Sequence, residues 1–281
     1  MARFIHPTAI VAPSAVIAEG ASIGPYCIIG EQVKIGAGCE LAVGCVLADG
    51  VELADRVKLE PYVVVHARTC LGTGCFVGSH STLGKPPRVA LTSTVKTQPD
   101  LPPLQIGSNC TIGCSAVLYA GTVLADGVFI GDRAVVRERC ILAEKVVVGS
   151  GSTVENDTRI GSYTKIQTGS YITAYMEIED RVFIAPMVTT TNDNYMGRTE
   201  KRFKYIKGAT IRRGARIGGG AILLPGVEVA EETFVAAGAL VTKNTEARKV
   251  VKGFPAKEIR DVPEEELIFT DNNNTGNEQK Q

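Results

Sequence analysis

The sequence predicts an all-β parallel β-helix, a coil of very short strands stacked turn upon turn. Three observations predict it. An aliphatic residue recurs at every sixth position almost from end to end, the second residue of each six is usually Gly or Ala, and the fifth is usually Ala, Cys, Val, Ser or Thr. A six-residue period fits neither the period of about 3.6 of an α-helix nor the alternation of an ordinary strand. It fits a triangular coil in which each strand buries its aliphatic residue and ends at a tight turn.

The beat starts at Ile5, Val11, Ile17 and Ile23 and reaches Leu83 without a miss. It resumes at Ile106, holds to Ile184, breaks again, and finishes with Ile211, Ile217, Leu223, Val229, Val235 and Val241. Residues 1–250 are therefore assigned to the β-helix, with loops 85–105 and 191–210 projecting from it. After Val241 the beat stops, and Pro263 followed by Glu264, Glu265 and Glu266 reads as a helix start, with proline in the first turn and acids at the positive end. Residues 251–270 are thus expected to be a short C-terminal helical segment, and the Asn-rich, polar residues 271–281 a disordered tail.

Composition narrows the function classes. The 281 residues carry 30 basic and 30 acidic side chains, and this balance argues against nucleic acid as a partner. The N-terminal residues enter the repeat at once and no apolar run is long enough to span a bilayer, so a cytoplasmic protein away from the membrane is expected. Six of the eight cysteines, Cys27, Cys39, Cys45, Cys75, Cys110 and Cys140, fall at the fifth, inward slot of a hexad. There a free Cys acts as a small buried hydrophobe. No CxxC pair is present, and no metal site is expected.

Three hexads make one coil of 18 residues, which sorts the second positions into three columns. From Ile106 onward two columns stay mostly Gly or Ala. The third reads Tyr119, Arg137, Glu155, Thr173, Thr191, Leu224 and Thr242, without a single Gly or Ala. The next positions along the same corner include Glu138, Arg139, Asn156, Asp157, Tyr175, Asn192 and Asp193. Stacked members stand about 4.8 Å apart, so Glu138 and Asn156 fall within reach of one small ligand.

Both loops leave from this column, five coils and therefore about 24 Å apart. Long loops in a compact repeat usually serve a function. The expectation is a cleft floored by Arg137, Glu138, Glu155, Asn156, Asp157 and Tyr175, with Tyr119, Asn192, Asp193, Lys85 and Arg88 as further substrate contacts. Against this stands the plainer reading that corner residues of a β-helix face solvent and are merely solvated. The coincidence of the whole column with both loops favours a site. Lys201, Arg202 and Lys204 read as loop charge, and Gly218, Gly219 and Gly220 as turn glycines, because no strand-to-helix context surrounds them.

The opening, Ile5-His6-Pro7-Thr8-Ala9-Ile10-Val11-Ala12-Pro13, and the hexads after it resemble the hexapeptide acyltransferases. That resemblance implies a left-handed β-helix assembled as a homotrimer with active sites between subunits. From Ile130 on, Gly131-Asp132-Arg133-Ala134-Val135-Val136-Arg137-Glu138, Val154-Glu155-Asn156, Lys165-Ile166-Gln167-Thr168 and Tyr171-Ile172-Thr173-Ala174 are similar to the N-acetyltransferases of nucleotide-linked 3-amino-3,6-dideoxyhexoses. The acyltransferases of the 4-amino sugar anthrose are also similar. In the 3-amino-sugar enzymes a glutamate and an asparagine one coil apart line the sugar site, which matches Glu138 and Asn156. The resemblance implies acetyl-CoA as co-substrate, a dTDP-linked amino sugar as acceptor, and a donor groove near Gly219, Ala237, Lys243, Lys252 and Pro255.

A hydroxyl acceptor needs a general base, and the lipid A acyltransferases, similar over the first third, use a histidine. This chain has only His6, His66 and His80, none of them between Ile106 and Asn192. A sugar amine with a pKa of about 7.7 to 8.0 is partly neutral near neutral pH and needs alignment more than deprotonation. Longer acyl groups, 4-amino or UDP-linked sugars, hydroxyl acylation and a non-catalytic scaffold remain open. A carbonic anhydrase would need three converging histidines, and a nucleotidyltransferase a further domain.

Overall fold

The computed structural model describes residues 2–93 and 100–268, over which the chain winds as a three-faced parallel solenoid with almost no helix. Its sheets hold 14, 12 and 11 strands, and nearly every hexad contributes one two-residue strand to each face in rotation. Val135 and Val136 pair in parallel with Thr153 and Val154, one coil of the repeat further on. The aliphatic beat residues fill the interior, and Ile130, Leu142 and Ile166 are fully buried.

The remaining two rules of the hexad follow from packing. The fifth-position groups lie inside and donate to the carbonyl fifteen residues ahead: Cys39 Sγ to Ala54 at 3.0 Å, Ser152 Oγ to Gln167 at 2.9 Å and Thr122 Oγ1 to Arg137 at 2.6 Å. A small donor in that slot thus satisfies a carbonyl at the next corner. The second position is small because coils meet there. A Cβ at Gly36 would lie 2.6 Å from the Ala54 carbonyl carbon and 2.7 Å from the Asp55 amide nitrogen.

The chain leaves the coil twice, each time from the second sheet. The first loop departs after the strand Thr82–Lys85 and returns at Gln105–Ile106 in the third sheet. The second departs after Thr189–Thr190, carries the short helix Arg202–Tyr205, and returns at Thr210–Ile211. The ladder is altered at both departures. Gly84 sits at φ +72°, and the hydroxyl of Thr69, fifteen residues earlier, is buried without a hydrogen-bond partner. At the second departure Thr190 takes the aliphatic slot, and its Oγ1 accepts the Thr173 amide at 2.8 Å while donating to the Tyr171 carbonyl at 3.1 Å.

The C-terminal segment differs from the expectation. Lys249–Gly253 and Ala256–Asp261 form an antiparallel hairpin, and among the described residues the expected helix is reduced to the single 3-10 turn Glu264–Glu266. Val250 and Val251 pair in parallel with Phe234 and Val235, so the hairpin extends the first sheet and covers the open end of the coil. The β structure therefore continues past residue 250 to Asp261. The expected tail at 271–281 lies outside the described residues.

The outer faces of the three sheets differ in charge. The first carries Glu40, Lys58, Lys165 and Arg216, and the third carries Lys34, Glu52, Arg159, Glu177 and Glu228. The second presents Ile10, Ile28, Val46, Val64, Thr82, Val117, Val135, Thr153, Tyr171, Thr189, Ile222 and Leu240, with no charged residue among them.

Candidate functional site

The polar column forms the corner between the second and third sheets. Arg137, Glu138 and Arg139 turn on one coil, and Glu155, Asn156 and Asp157 on the next. Backbone bonds hold the two turns in register: the Arg137 amide donates to the Val154 carbonyl at 2.8 Å and the Asp157 amide to the Glu138 carbonyl at 3.2 Å. Arg139, Asp157 and Tyr175 occupy the left-handed region at φ 58°, 57° and 64°, which turns the chain at this corner.

Glu138 is 5% exposed and both of its oxygens are engaged. Arg137 donates to it through Nε at 2.8 Å and Nη2 at 3.1 Å, and reaches up to Glu155 through Nη1 at 3.4 Å. Burial works against the charge of Arg137, but the hydrogen bonds and charge of Glu138, followed by the charge of Glu155, outweigh it and raise its pKa. On the neighbouring stack Arg139 grips Asp157 through two bonds of 2.7 Å, and Asn156 Nδ2 donates to Asp157 at 2.6 Å. Burial again opposes the charge on Asp157, yet Arg139 and Asn156 together hold its pKa below the ordinary value of 3.8. The corner is a chain of paired charges in which a guanidinium bridges successive coils.

Below this network Tyr119 lies between two cations, with the Arg137 guanidinium 4.9 Å and Lys85 Nζ 5.3 Å from its ring centre. Above it, Tyr175 is exposed and its amide donates to the Asn156 carbonyl at 3.2 Å. Asn192 donates weakly to the Ala174 carbonyl at 3.4 Å. The carboxylate of Asp193 is taken up by its own loop, accepting from the Tyr195 amide at 2.8 Å, the Gly197 amide at 2.9 Å and Arg202 at 2.8 Å. Asp193 therefore ties the second loop together, while Arg88 stands exposed at the start of the first. Tyr119, Lys85, Arg137, Glu138, Glu155, Asn156, Asp157 and Tyr175 lie along one continuous edge.

The expected acyl-donor residues stand elsewhere in the chain. Gly219 and Ala237 turn the corner between the first and second sheets, linked by a Gly238 amide to Gly219 carbonyl bond of 2.9 Å. The hairpin brings Lys252 to that corner, where the Ala236 amide donates to the Val251 carbonyl at 2.9 Å, and Pro255 lies at the hairpin turn. Lys243 follows the strand Leu240–Val241 of the second sheet and so lies on the polar corner itself, five coils beyond Glu138.

None of the three histidines joins the Glu138 and Asn156 turns. His6 bonds Thr8 at 2.9 Å, and His80 lies edge-on to Tyr62 with ring centres 5.2 Å apart. His66 stands on the polar corner two coils before Tyr119, and burial followed by the charge of Lys85 lowers its pKa. Among the described residues no three His, Cys, Asp or Glu side chains are grouped to hold a metal ion. No helix among them is long and apolar enough to cross a membrane. A shallow depression on the third sheet, bordered by Lys34, Glu52 and Gly72, is away from the polar corner, and its two charges pair with each other at 2.7 Å.

Sequence reasoning passed over two partners. Arg139 follows the same stacking rule as Glu138, since its bonds to Asp157 run one coil upward, so the column itself held the signal. Tyr171, on the outer face of the second sheet, has its pKa raised by burial and then by the nearby charge of Glu155. Nothing in the periodicity announces that proximity.

Residues 14–49 match the family described as bacterial transferase hexapeptide (six repeats). The chain is 35% identical over 117 residues to the mitochondrial gamma carbonic anhydrase 2 of Arabidopsis thaliana, covering 41% of this chain and 40% of that protein. It is 37% identical over 95 residues to the serine acetyltransferase of Buchnera aphidicola, covering 34% of this chain and 32% of that enzyme. The matches thus span less than half of these curated relatives. A solved UDP-N-acetylglucosamine acyltransferase of Arabidopsis is similar at a TM-score of 0.47 and 18% identity, over 92% of this chain and 74% of that one.

Proposed function

We propose that this hexapeptide-repeat chain is an acyl-CoA-dependent N-acyltransferase that moves an acetyl group from acetyl-CoA to the amine of a dTDP-linked 3-amino-3,6-dideoxyhexose. The observation that carries the reading is the pair Glu138 and Asn156, stacked on successive turns of the one polar corner, flanked by both loops, with Glu138 buried beside Arg137. The repeat match at residues 14–49 and the partial match to a serine acetyltransferase support the acyl-transfer class.

In this mechanism the neutral sugar amine attacks the thioester carbonyl carbon, a backbone amide stabilises the tetrahedral oxyanion, and the carbon–sulfur bond breaks. The ammonium formed on attack loses its proton to the departing CoA sulfur, which leaves as the thiol. Glu138 orients the amine and Asn156 a neighbouring hydroxyl. Glu138 is poorly suited as a base because Arg137 already occupies both of its oxygens. Rate then comes from alignment rather than from proton abstraction.

The reading includes a homotrimer with sites between subunits, and two features support it. Apart from Lys85 at the end of one strand, the second sheet offers an outer face without charged residues, the kind of surface that associates. The donor residues Gly219, Ala237 and Lys252 stand on a different corner from Glu138, and in this reading a neighbouring subunit brings the two sets together. The test is thiol release from acetyl-CoA with dTDP-3-amino-3,6-dideoxyglucose, against a control lacking the sugar. Sugar-dependent release supports the reading. Its absence with this sugar, with 4-amino and UDP-linked sugars, and with longer acyl-CoAs would end it.

A further inference from the structure

Almost every cation near the Glu138 and Asn156 turns has an anionic partner. Arg137 has Glu138 and Glu155, Arg139 has Asp157, and on the second loop Arg202 has Asp193. Lys85 is an exception: its ammonium meets the ring of Tyr119, and no carboxylate lies within ion-pair distance of it among the described residues. It is also fixed in place. The four-residue strand Thr82–Lys85 is longer than its neighbours Val64–Val65 and Val117–Tyr119, so that Lys85 pairs with Tyr119 and its carbonyl accepts the Ala120 amide at 3.0 Å. A lysine held on a strand, half-buried and lying on an aromatic face has already given up much of the freedom that a solvated lysine keeps.

Its surroundings do not cancel the charge. His66, on the previous coil of the corner, is disfavoured as a cation by burial and then by Lys85 itself. Arg88 follows three residues on, exposed and with no carboxylate within ion-pair distance among the described residues. In the opposite direction the carboxylates of Glu138, Glu155 and Asp157 are matched by Arg137 and Arg139. The edge is therefore polarised, with uncompensated positive charge toward the first loop and paired charges two to three coils, about 10 to 15 Å, further along.

We propose that Lys85, assisted by Arg88, is the phosphate-binding end of the site, seating the diphosphate of a nucleotide-linked substrate. The ligand then lies along the corner with its phosphates toward the first loop and its sugar toward Glu138 and Asn156. This rests on the functional reading above and adds to it a ligand direction and a reason for preferring a sugar nucleotide to a free sugar. Lysine suits the task as a point charge against phosphate oxygens. Lys85 and Glu138 stand two coils apart on the corner, about 10 Å, which is about the span of a hexose and its phosphate link.

Isothermal titration of the full chain with dTDP, inorganic pyrophosphate and thymidine tests this. Lys85→Ala should weaken dTDP and pyrophosphate about tenfold and leave thymidine unchanged, and Lys85→Arg should restore most of the loss. Arg88→Ala, on an exposed loop where folding is not at stake, should weaken the same two ligands about threefold. Arg212→Ala, whose charge is already paired on the third sheet, should change neither. The proposal is overturned if the wild-type chain binds neither dTDP nor pyrophosphate at millimolar concentration, or if both loop-side variants bind them as tightly as wild type. dTDP binding that depends on Lys85, without thiol release, would keep this inference and remove the acyl-transfer reading; thiol release with dTDP binding indifferent to Lys85 would do the reverse.

Discussion

Replacing Glu138 with Gln keeps the shape of the side chain and removes its charge. Arg137 then faces an amide in place of a carboxylate that had accepted from it at 2.8 and 3.1 Å, and keeps Glu155 at 3.4 Å. One charge-assisted bond becomes neutral and the other is lost, because the amide nitrogen is a donor facing a donor. For a fully buried pair this would cost about 3 kcal/mol or more. Arg137 is 29% exposed and retains a second carboxylate, so about 1 to 2 kcal/mol is expected. In a chain of this size that lowers the melting temperature by roughly 2 to 8 °C. On activity, a carboxylate that only orients the amine acts in ground and transition states alike. The apparent KM for the amino sugar should therefore rise about tenfold while kcat stays within about threefold. Steady-state thiol release at saturating acetyl-CoA reads both. A fall in kcat of a hundredfold or more with KM unchanged would refute the reasoning and make Glu138 the general base.

Other predictions follow from the same contacts. Asp157 has a folded pKa below its ordinary 3.8, so the stability it contributes is fully present above that value and is lost as pH falls through the lower folded one. The melting-temperature gap between wild type and Asp157→Asn should therefore be constant from about pH 6 to 8, worth about 1 kcal/mol, and should close below about pH 4; a gap that persists in acid would assign it to packing. Thr190→Val leaves the Thr173 amide and the Tyr171 carbonyl without their hydroxyl partner, and should cost about 1 to 3 kcal/mol in urea denaturation, whereas Thr190→Ser should cost less. Gly84→Ala places a methyl group against the Thr69 hydroxyl at φ +72° and should destabilise by about 1 to 3 kcal/mol, with Thr69→Ala relieving part of it in the double variant.

The fold was legible because one physical requirement, an aliphatic side chain pointing inward on every strand, repeats along the sequence with a constant period. The site was legible where that requirement and its small-corner companion were given up. Arg137 and Glu155 occupy positions at which other corners keep Gly or Ala, and Thr190 marks the loop departure by occupying an aliphatic slot with a hydroxyl. Charge partnership was harder to read, because it depends on where long side chains reach. Arg137 folds back on its neighbour Glu138 as well as up to Glu155, and Asp193 bonds within its own loop rather than facing the cleft. The C-terminal hairpin escaped because its strand Lys249–Gly253 has lost the six-residue beat. Its conformation is set by the open end of the first sheet at Phe234 and Val235, a tertiary cause that local residue preferences around Pro263 do not contain.

The most direct test of the central claim is a crystal structure of the protein with its nucleotide-linked amino sugar, located by difference density. The account predicts the sugar amine within hydrogen-bond distance of the Glu138 carboxylate, a neighbouring hydroxyl at Asn156, and the phosphates toward Lys85. A sugar bound at another corner, or with its amine turned away from both residues, would contradict it.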